Sequence, residues 1–239
     1  PATYSEYLTI DKELKLFGAG PGATNIAGPA GTATIYISDG ADNTEIRNMR
    51  IANAGSTSTD HCIAVGTNAD GPYNCVFDHL EIMGGEYGII LRNWAVYTRI
   101  TNNYIHDTHS SPIYVASWSR SVIANNYIKG GGTAGIELLG LNSSIVGNVI
   151  DGNNRDLWNG IEVENTQAVT VVGNTIYECD NDGIFLRIVS NVVVSGNTVY
   201  SNFDHGILLD DNSEEYVAIT GNTVTGNANA GIDLGGANA

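Results

Sequence analysis

The chain has 239 residues and sets 10 Lys plus Arg against 26 Asp plus Glu, a net charge of −16. That balance excludes a duplex-tracking protein, which needs a cationic footprint, and docking on anionic lipid. No apolar run approaches the roughly 18 residues of a membrane span, so neither nucleic acid nor membrane is an expected partner. Hydrophobic residues make up 42% and charged residues 15%, which excludes a disordered chain. The chain starts at Pro1 with no signal segment and reads as a processed or excised piece.

The first 31 residues stand apart. Tyr7-Leu8-Thr9-Ile10 and Leu14-Lys15-Leu16-Phe17 read as strands, followed by a Gly/Pro-rich loop over 18–31. They are expected to form a first rung joined to Ile35-Tyr36-Ile37. From residue 32 a repeat takes over, and 1–239 is read as one domain. One motif is Gly-Ile-x-Leu or a variant: Cys62-Ile63-Ala64-Val65, Gly88-Ile89-Ile90-Leu91, Pro112-Ile113-Tyr114-Val115 and Gly135-Ile136-Glu137-Leu138. It continues as Gly160-Ile161-Glu162-Val163, Gly183-Ile184-Phe185-Leu186, Gly206-Ile207-Leu208-Leu209 and Gly231-Ile232-Asp233-Leu234, the isoleucines lying 23 to 26 residues apart. A second motif ends at Ile51, Ile82, Ile105, Ile128, Ile150, Ile176, Val199 and Val224. Two residues earlier stand Asn103, Asn126, Asn148, Asn174, Asn197 and Asn222, with Met49 and Leu80 in the first two copies.

Each repeat is too short to bury its own apolar side, so copies must stack into a common interior. Around residue 174 the strands are expected at 170–173, 175–177 and 183–187. Asn tolerates a left-handed backbone and suits a sharp corner, and stacked Asn side chains can bond from coil to coil. Leucine-rich repeats would need more Leu and a helical return, and propeller blades are longer. This pattern over about 32–239 resembles the right-handed parallel β-helix of the pectate-lyase-like superfamily. The resemblance implies an all-β, three-sheet solenoid of about eight to nine coils, and a secreted or cell-surface location. That superfamily carries lyases, hydrolases, esterases, epimerases and non-enzymatic adhesins, so fold alone does not choose among them. No covering segment is visible at either end, including 235–239. Exposed strand ends invite pairing, so flanking domains, a partner or end-to-end self-association are expected there.

Alternate residues of a strand face outward. In the Gly-Ile-x-Leu strands one outward row reads Ala64, Ile90, Tyr114, Glu137, Glu162, Phe185, Leu208, Asp233. The next reads Gly66, Arg92, Ala116, Leu139, Glu164, Arg187, Asp210, Gly235. The resemblance places the substrate groove on this sheet. Glu137 and Glu162 then stand on neighbouring coils about 4.8 Å apart, where like charges raise one pKa unless a cation intervenes. They are the candidate catalytic acids, with Arg187 as charge partner. Arg92, Trp94, Tyr114, Trp118, Trp158, Glu164, Phe185 and Asp210 are the candidate substrate contacts, since aromatic rings stack on sugars and carboxylates bind hydroxyls. Three uses are open: glycoside hydrolysis by paired carboxyls, a uronate lyase or epimerase with Arg187 or Arg92 and Ca²⁺ on Glu137, Glu162 or Asp210, or polysaccharide binding alone. The rival from another class is an adhesin or tail-fibre-like structural module.

Other features read more plainly. His106-Asp107-Thr108-His109 has metal-ligand residue types, yet such a run also makes an ordinary turn. Loop 151–159, with Arg155, Asp156 and Trp158, is longer than closure needs and borders the groove. The acidic run 210–215 has no EF-hand spacing. Cys62, Cys75 and Cys179 are odd in number, and no C-x-x-C occurs, so neither a zinc nor a redox site is expected. No helix follows a Gly-rich turn, which excludes a nucleotide-binding fingerprint.

Overall fold

The computed structural model describes residues 2–154, 156–210 and 216–235. Their strands form three parallel sheets of ten, ten and nine strands, winding through about nine turns. No helix is present among the described residues. The first sheet runs from Ala2–Tyr4 to Thr223–Thr225 and holds the strands that follow the Asn positions. The second runs from Leu8–Ile10 to Ile232–Asp233 and holds the Gly-Ile-x-Leu strands. The third runs from Lys15–Phe17 to Val217–Thr220. The turn around residue 174 uses Thr170–Val172, Thr175–Tyr177 and Ile184–Ser190, close to the expected bounds.

The interior is a column of like residues. Ile105, Ile128, Ile150 and Ile176 stack in register from the first sheet. Ile113, Ile136, Ile161 and Ile184 stack from the second, and Ile100, Ile123 and Ile145 from the third. All are fully buried. β-Branched side chains suit this, because their single favoured rotamer repeats at every rung.

The Asn ladder crosses that core. Asn103 Nδ2 donates to Asn126 Oδ1 at 3.0 Å. Asn126 to Asn148, Asn148 to Asn174, Asn174 to Asn197 and Asn197 to Asn222 follow at 2.9 Å each. The left-handed corner lies elsewhere than expected. It is the preceding residue that turns, with φ of 57° at Asn102 and Asn125, 65° at Gly147 and 67° at Gly173. Two jobs given to one residue are thus split between neighbours: one bends the backbone, the next turns its amide inward to meet its copies. The N-terminal loop also differs from expectation. Within 18–31 lies a strand, Thr24–Gly28, sandwiched between Ala2–Tyr4 and Arg50–Asn53. Leu8–Ile10 pairs in parallel with Ile35–Ile37. Residues 236–239, which bear on the covering of the C-terminal end, lie outside the described residues.

Candidate functional site

The outward rows of the second sheet begin with its glycines. A Cβ on Gly160 would stand 2.3 Å from Ile176 Cγ2, on Gly183 2.3 Å from Val199 Cγ1, and on Gly206 2.2 Å from Val224 Cγ1. The motif glycine is therefore required because the first sheet's aliphatic column presses against its Cα. Both Gly and the following Ile face the interior, so simple alternation breaks there. The residue before Gly then lies on the same side of the sheet as the residue after Ile, mostly buried beneath its neighbours. This adds a row that alternation alone assigns to the core: His61, Tyr87, Ser111, Ala134, Asn159, Asp182 and His205.

That extra row serves the acid pair. Glu137 and Glu162 are register partners on adjacent rungs, with Tyr114 beside Glu137 and Phe185 beside Glu162. Ser111 Oγ donates to Glu137 Oε2 at 2.7 Å, and Asn159 Nδ2 donates to Glu162 Oε2 at 2.9 Å. Burial raises the pKa of both carboxyls. Ser111 partly offsets this for Glu137, while the charges of Glu162 and Glu164 raise it further. For Glu162 the Asn159 bond opposes burial, Glu164 adds to the rise, and Arg187 lowers it weakly. Arg187 itself is held by Glu164, Nη2 to Oε1 at 2.5 Å, and lies over the Phe185 ring at 5.7 Å. Its charge is thus spent chiefly on Glu164. Asp210 follows on the next rung, its N–H bonded to Leu186 O.

On the N-terminal side the face becomes aromatic. His61, Tyr87 and Tyr114 form a run of tilted rings, with centroids 5.4 and 5.2 Å apart. Arg92 Nη2 lies 3.2 Å from His61 Nε2, and burial together with that guanidinium lowers the His61 pKa to about 4. The imidazole is therefore neutral and accepts from Arg92. Beside them opens a concavity of about 450 Å³ whose lining includes Tyr87, Ile90, Arg92, Asn93 and Tyr114.

Trp94 and Trp118 lie at its edge. Their rings stack at 5.6 Å with planes 8° apart, and they are 42% and 54% exposed. Both sit in the left-handed region, at φ 68° and 67°. For a bulky residue that conformation costs about 1–2 kcal/mol, and such strain collects at functional positions. Trp158, 53% exposed, stands on the loop before Asn159, and its N–H bonds Gly132 O. Arg155 of that loop and the acidic run 211–215 lie outside the described residues.

The remaining candidates separate. His106 Nδ1 pairs with Asp107 at 2.7 Å while His109 Nδ1 faces Gly85 O at 3.2 Å, which makes that segment a hydrogen-bonded turn. Among the described residues, the ligand atoms near enough to share an ion belong to Asp182, Asp204 and His205, within 4.8 Å of one another. Glu137, Glu162 and Asp210 are not gathered in that way. His205 Nδ1 already bonds Asp182 Oδ1 at 2.9 Å. The three cysteines are free and buried, and burial pushes the Cys62 and Cys75 thiols up to about 12.

Comparison with solved structures places this geometry among known folds. The Azotobacter vinelandii mannuronan C-5 epimerase AlgE6 A-module superposes with a TM-score of 0.75 at 16% identity, over 95% of this chain and 65% of that one. The enzymatically active domain of bacteriophage CBA120 tailspike protein 2 gives 0.71 at 13%, over 98% of this chain and 41% of that one. PfbA, a surface adhesin of Streptococcus pneumoniae, gives 0.70 at 13%, over 96% and 69%. A comparison with curated proteins finds no match. The likenesses establish the fold, and the chain spans only part of each of these proteins. The model of the right handed beta helix region matches residues 33–176 and 87–239, nearly the whole repeat. Three parallel sheets, one column of aliphatic side chains and that match together make the chain a member of the right-handed β-helix family.

Proposed function

We propose that the outward face of the second sheet binds a polysaccharide, on a secreted or cell-surface protein, and that Glu137 and Glu162 hydrolyse it. The observation that carries this reading is the pair itself: two carboxyls on neighbouring rungs, both raised in pKa, each with its own hydrogen-bond donor. Rung spacing of about 4.8 Å suits the roughly 5–5.5 Å separation used with retention. Glu137, raised by Glu162 and Glu164 without the opposing influence of Arg187 that Glu162 feels, is the general acid. It protonates the glycosidic oxygen as that bond breaks, while Glu162 attacks the anomeric carbon. Water, deprotonated by Glu137, then releases the sugar and restores both groups. Tyr87, Tyr114, Phe185 and the Trp94–Trp118 stack supply ring faces for neighbouring sugars. Arg92, Glu164 and Asp210 are the polar contacts along the same face, and Trp158 borders it.

Hydrolysis is preferred over a lyase or epimerase reaction because Arg187, the cation beside the acid pair, is already held by Glu164. The structures similar to this chain include a mannuronan C-5 epimerase module, a tailspike's enzymatically active domain and a surface adhesin, which supports a polysaccharide-facing role. A second reading, a binding module without chemistry, is favoured by the strained Trp94–Trp118 shelf, which needs no catalysis to be useful. Incubation with a panel of glycans tests both. The expected result is release of reducing ends without the ultraviolet absorbance of an unsaturated product, lost about a hundredfold in Glu137→Gln and Glu162→Gln. Full activity in either variant overturns the acid pair. Binding without release from any glycan supports the second reading.

A further inference from the structure

The charge of this chain is unevenly distributed. Residues 87–136 carry Arg92, Arg99, Arg120 and Lys129 against a single acid, Asp107. A net-negative solenoid therefore wears a cationic belt about two turns wide. Most other arginines described are neutralised: Arg47 by Glu45 and Asp78, Arg50 by Glu81, Arg187 by Glu164. Among the described residues, Arg99 and Arg120 form no ion pair with a carboxylate.

These two arginines stand on neighbouring rungs at the edge of the third sheet, where Thr98 is the register partner of Ser121. They line a concavity of about 510 Å³ with Asn74, Tyr97, Ser121, Val122 and Asn142, and no carboxylate reaches it. Arg120 Nη1 donates to the Tyr97 hydroxyl at 3.0 Å and its guanidinium lies 5.8 Å from that ring's centroid. Tyr97 is left-handed at φ 61°, at a corner that Asn43 and Asn74 turn on the two preceding rungs and Asn142 turns two rungs later, Arg120 standing between. A ring thus occupies a backbone conformation that Asn takes with less strain, and that ring holds Arg120 at the concavity.

The loops place this concavity relative to the groove. One runs from Arg92 and Asn93 in the groove concavity, through Trp94, to Tyr97 here. The next runs from Ala116 and Ser117, through Trp118, to Arg120. The stacked tryptophans are thus the ridge between two concavities.

We infer that the Arg99–Arg120–Tyr97 concavity is an anion subsite that takes a carboxylate or sulfate group of an acidic polysaccharide crossing the Trp94–Trp118 ridge. This rests on the polysaccharide reading of the groove and narrows it to an acidic glycan. A guanidinium pair without carboxylates binds a planar or tetrahedral oxyanion through charge-assisted bonds. It also answers the repulsion that a −16 chain would otherwise exert on a polyanion.

The test is titration of wild type, the double variant Arg99→Gln with Arg120→Gln, and Tyr97→Asn with three oligosaccharides of matched length: an oligogalacturonate, a sulfated galactan fragment and a neutral xylan fragment. Wild type should bind one acidic fragment at least tenfold more tightly than the neutral one at low salt. The fragment that benefits identifies carboxylate or sulfate as the group bound. The double variant should erase that margin, flatten the salt dependence and leave neutral binding unchanged. Tyr97→Asn should keep the fold and weaken the acidic fragment alone. An acidic margin that is absent, or that survives the double variant, overturns the subsite and leaves the groove reading in place. No binding of any fragment by wild type overturns both.

Discussion

Glu162 lies directly across from Glu137 on the next rung, and each carboxyl accepts one hydrogen bond from the row that precedes the motif glycine, from Asn159 and Ser111 respectively. The arrangement holds two acids together in partial burial with only a weak influence from Arg187. Both therefore stand above their ordinary value of 4.5. A carboxyl raised in this way favours the folded state while neutral. Its contribution is complete below the unfolded value and is withdrawn as pH climbs through the raised one. Wild type should lose stability, relative to Glu137→Gln with Glu162→Gln, as pH rises from about 4 toward neutrality. Denaturant unfolding at a series of pH values measures this. A difference between the two proteins that does not change with pH would count against the pair.

The Asn ladder makes a stability prediction. Asn174 accepts from the backbone N–H and the side chain of Asn148, both at 2.9 Å, and donates to Ile145 O and Asn197 Oδ1. Asn174→Ala strands several buried polar groups at once. With about 1–3 kcal/mol for each unsatisfied group, a loss of about 4 kcal/mol is expected in urea unfolding. A loss below about 1 kcal/mol would mean that the ladder records the stack without supporting it.

Trp118 combines backbone strain with exposure. Asn accepts the left-handed backbone that Trp resists, so Trp118→Asn exchanges the Trp94 stack for relief of strain. The two effects are of similar size, about 0.5–1.5 kcal/mol for the ring pair and about 1–2 kcal/mol for the conformation. Thermal stability should hardly move, while affinity for a bound glycan should fall about tenfold. A strongly destabilised variant with intact glycan binding would make the stack a packing device.

The solenoid was legible from the sequence because its two motifs repeat with the period of the coil, and each motif isoleucine from Ile63 to Ile207 lies in the core. The pairing of Glu137 with Glu162 followed from the same repeat. What escaped was local. The donors Ser111 and Asn159 sit where period-two alternation points into the core, and only the pressure of Ile150, Ile176 and their equivalents on the motif glycine reveals why they lie on the side of the acid pair instead. The Asn positions carried the ladder, but the bend belongs to their predecessors, since Gly147, Gly173 and Gly196 can take the left-handed backbone without cost. The strand at Thr24–Gly28 was hidden by its Gly/Pro-rich surroundings and exists because Ala2–Tyr4 and Arg50–Asn53 pair with it on both sides. The strain at Trp94 and Trp118 leaves no mark in the sequence, because a left-handed Trp has no residue signal of its own.

The most direct test of the polysaccharide face is calorimetric titration of a glycan panel into wild type and into Glu137→Gln with Glu162→Gln. At least one glycan should bind wild type, and the variant should bind it at least tenfold more weakly with its fold unchanged. Equal affinity in the two proteins would remove sugar recognition from the Glu137–Glu162 face.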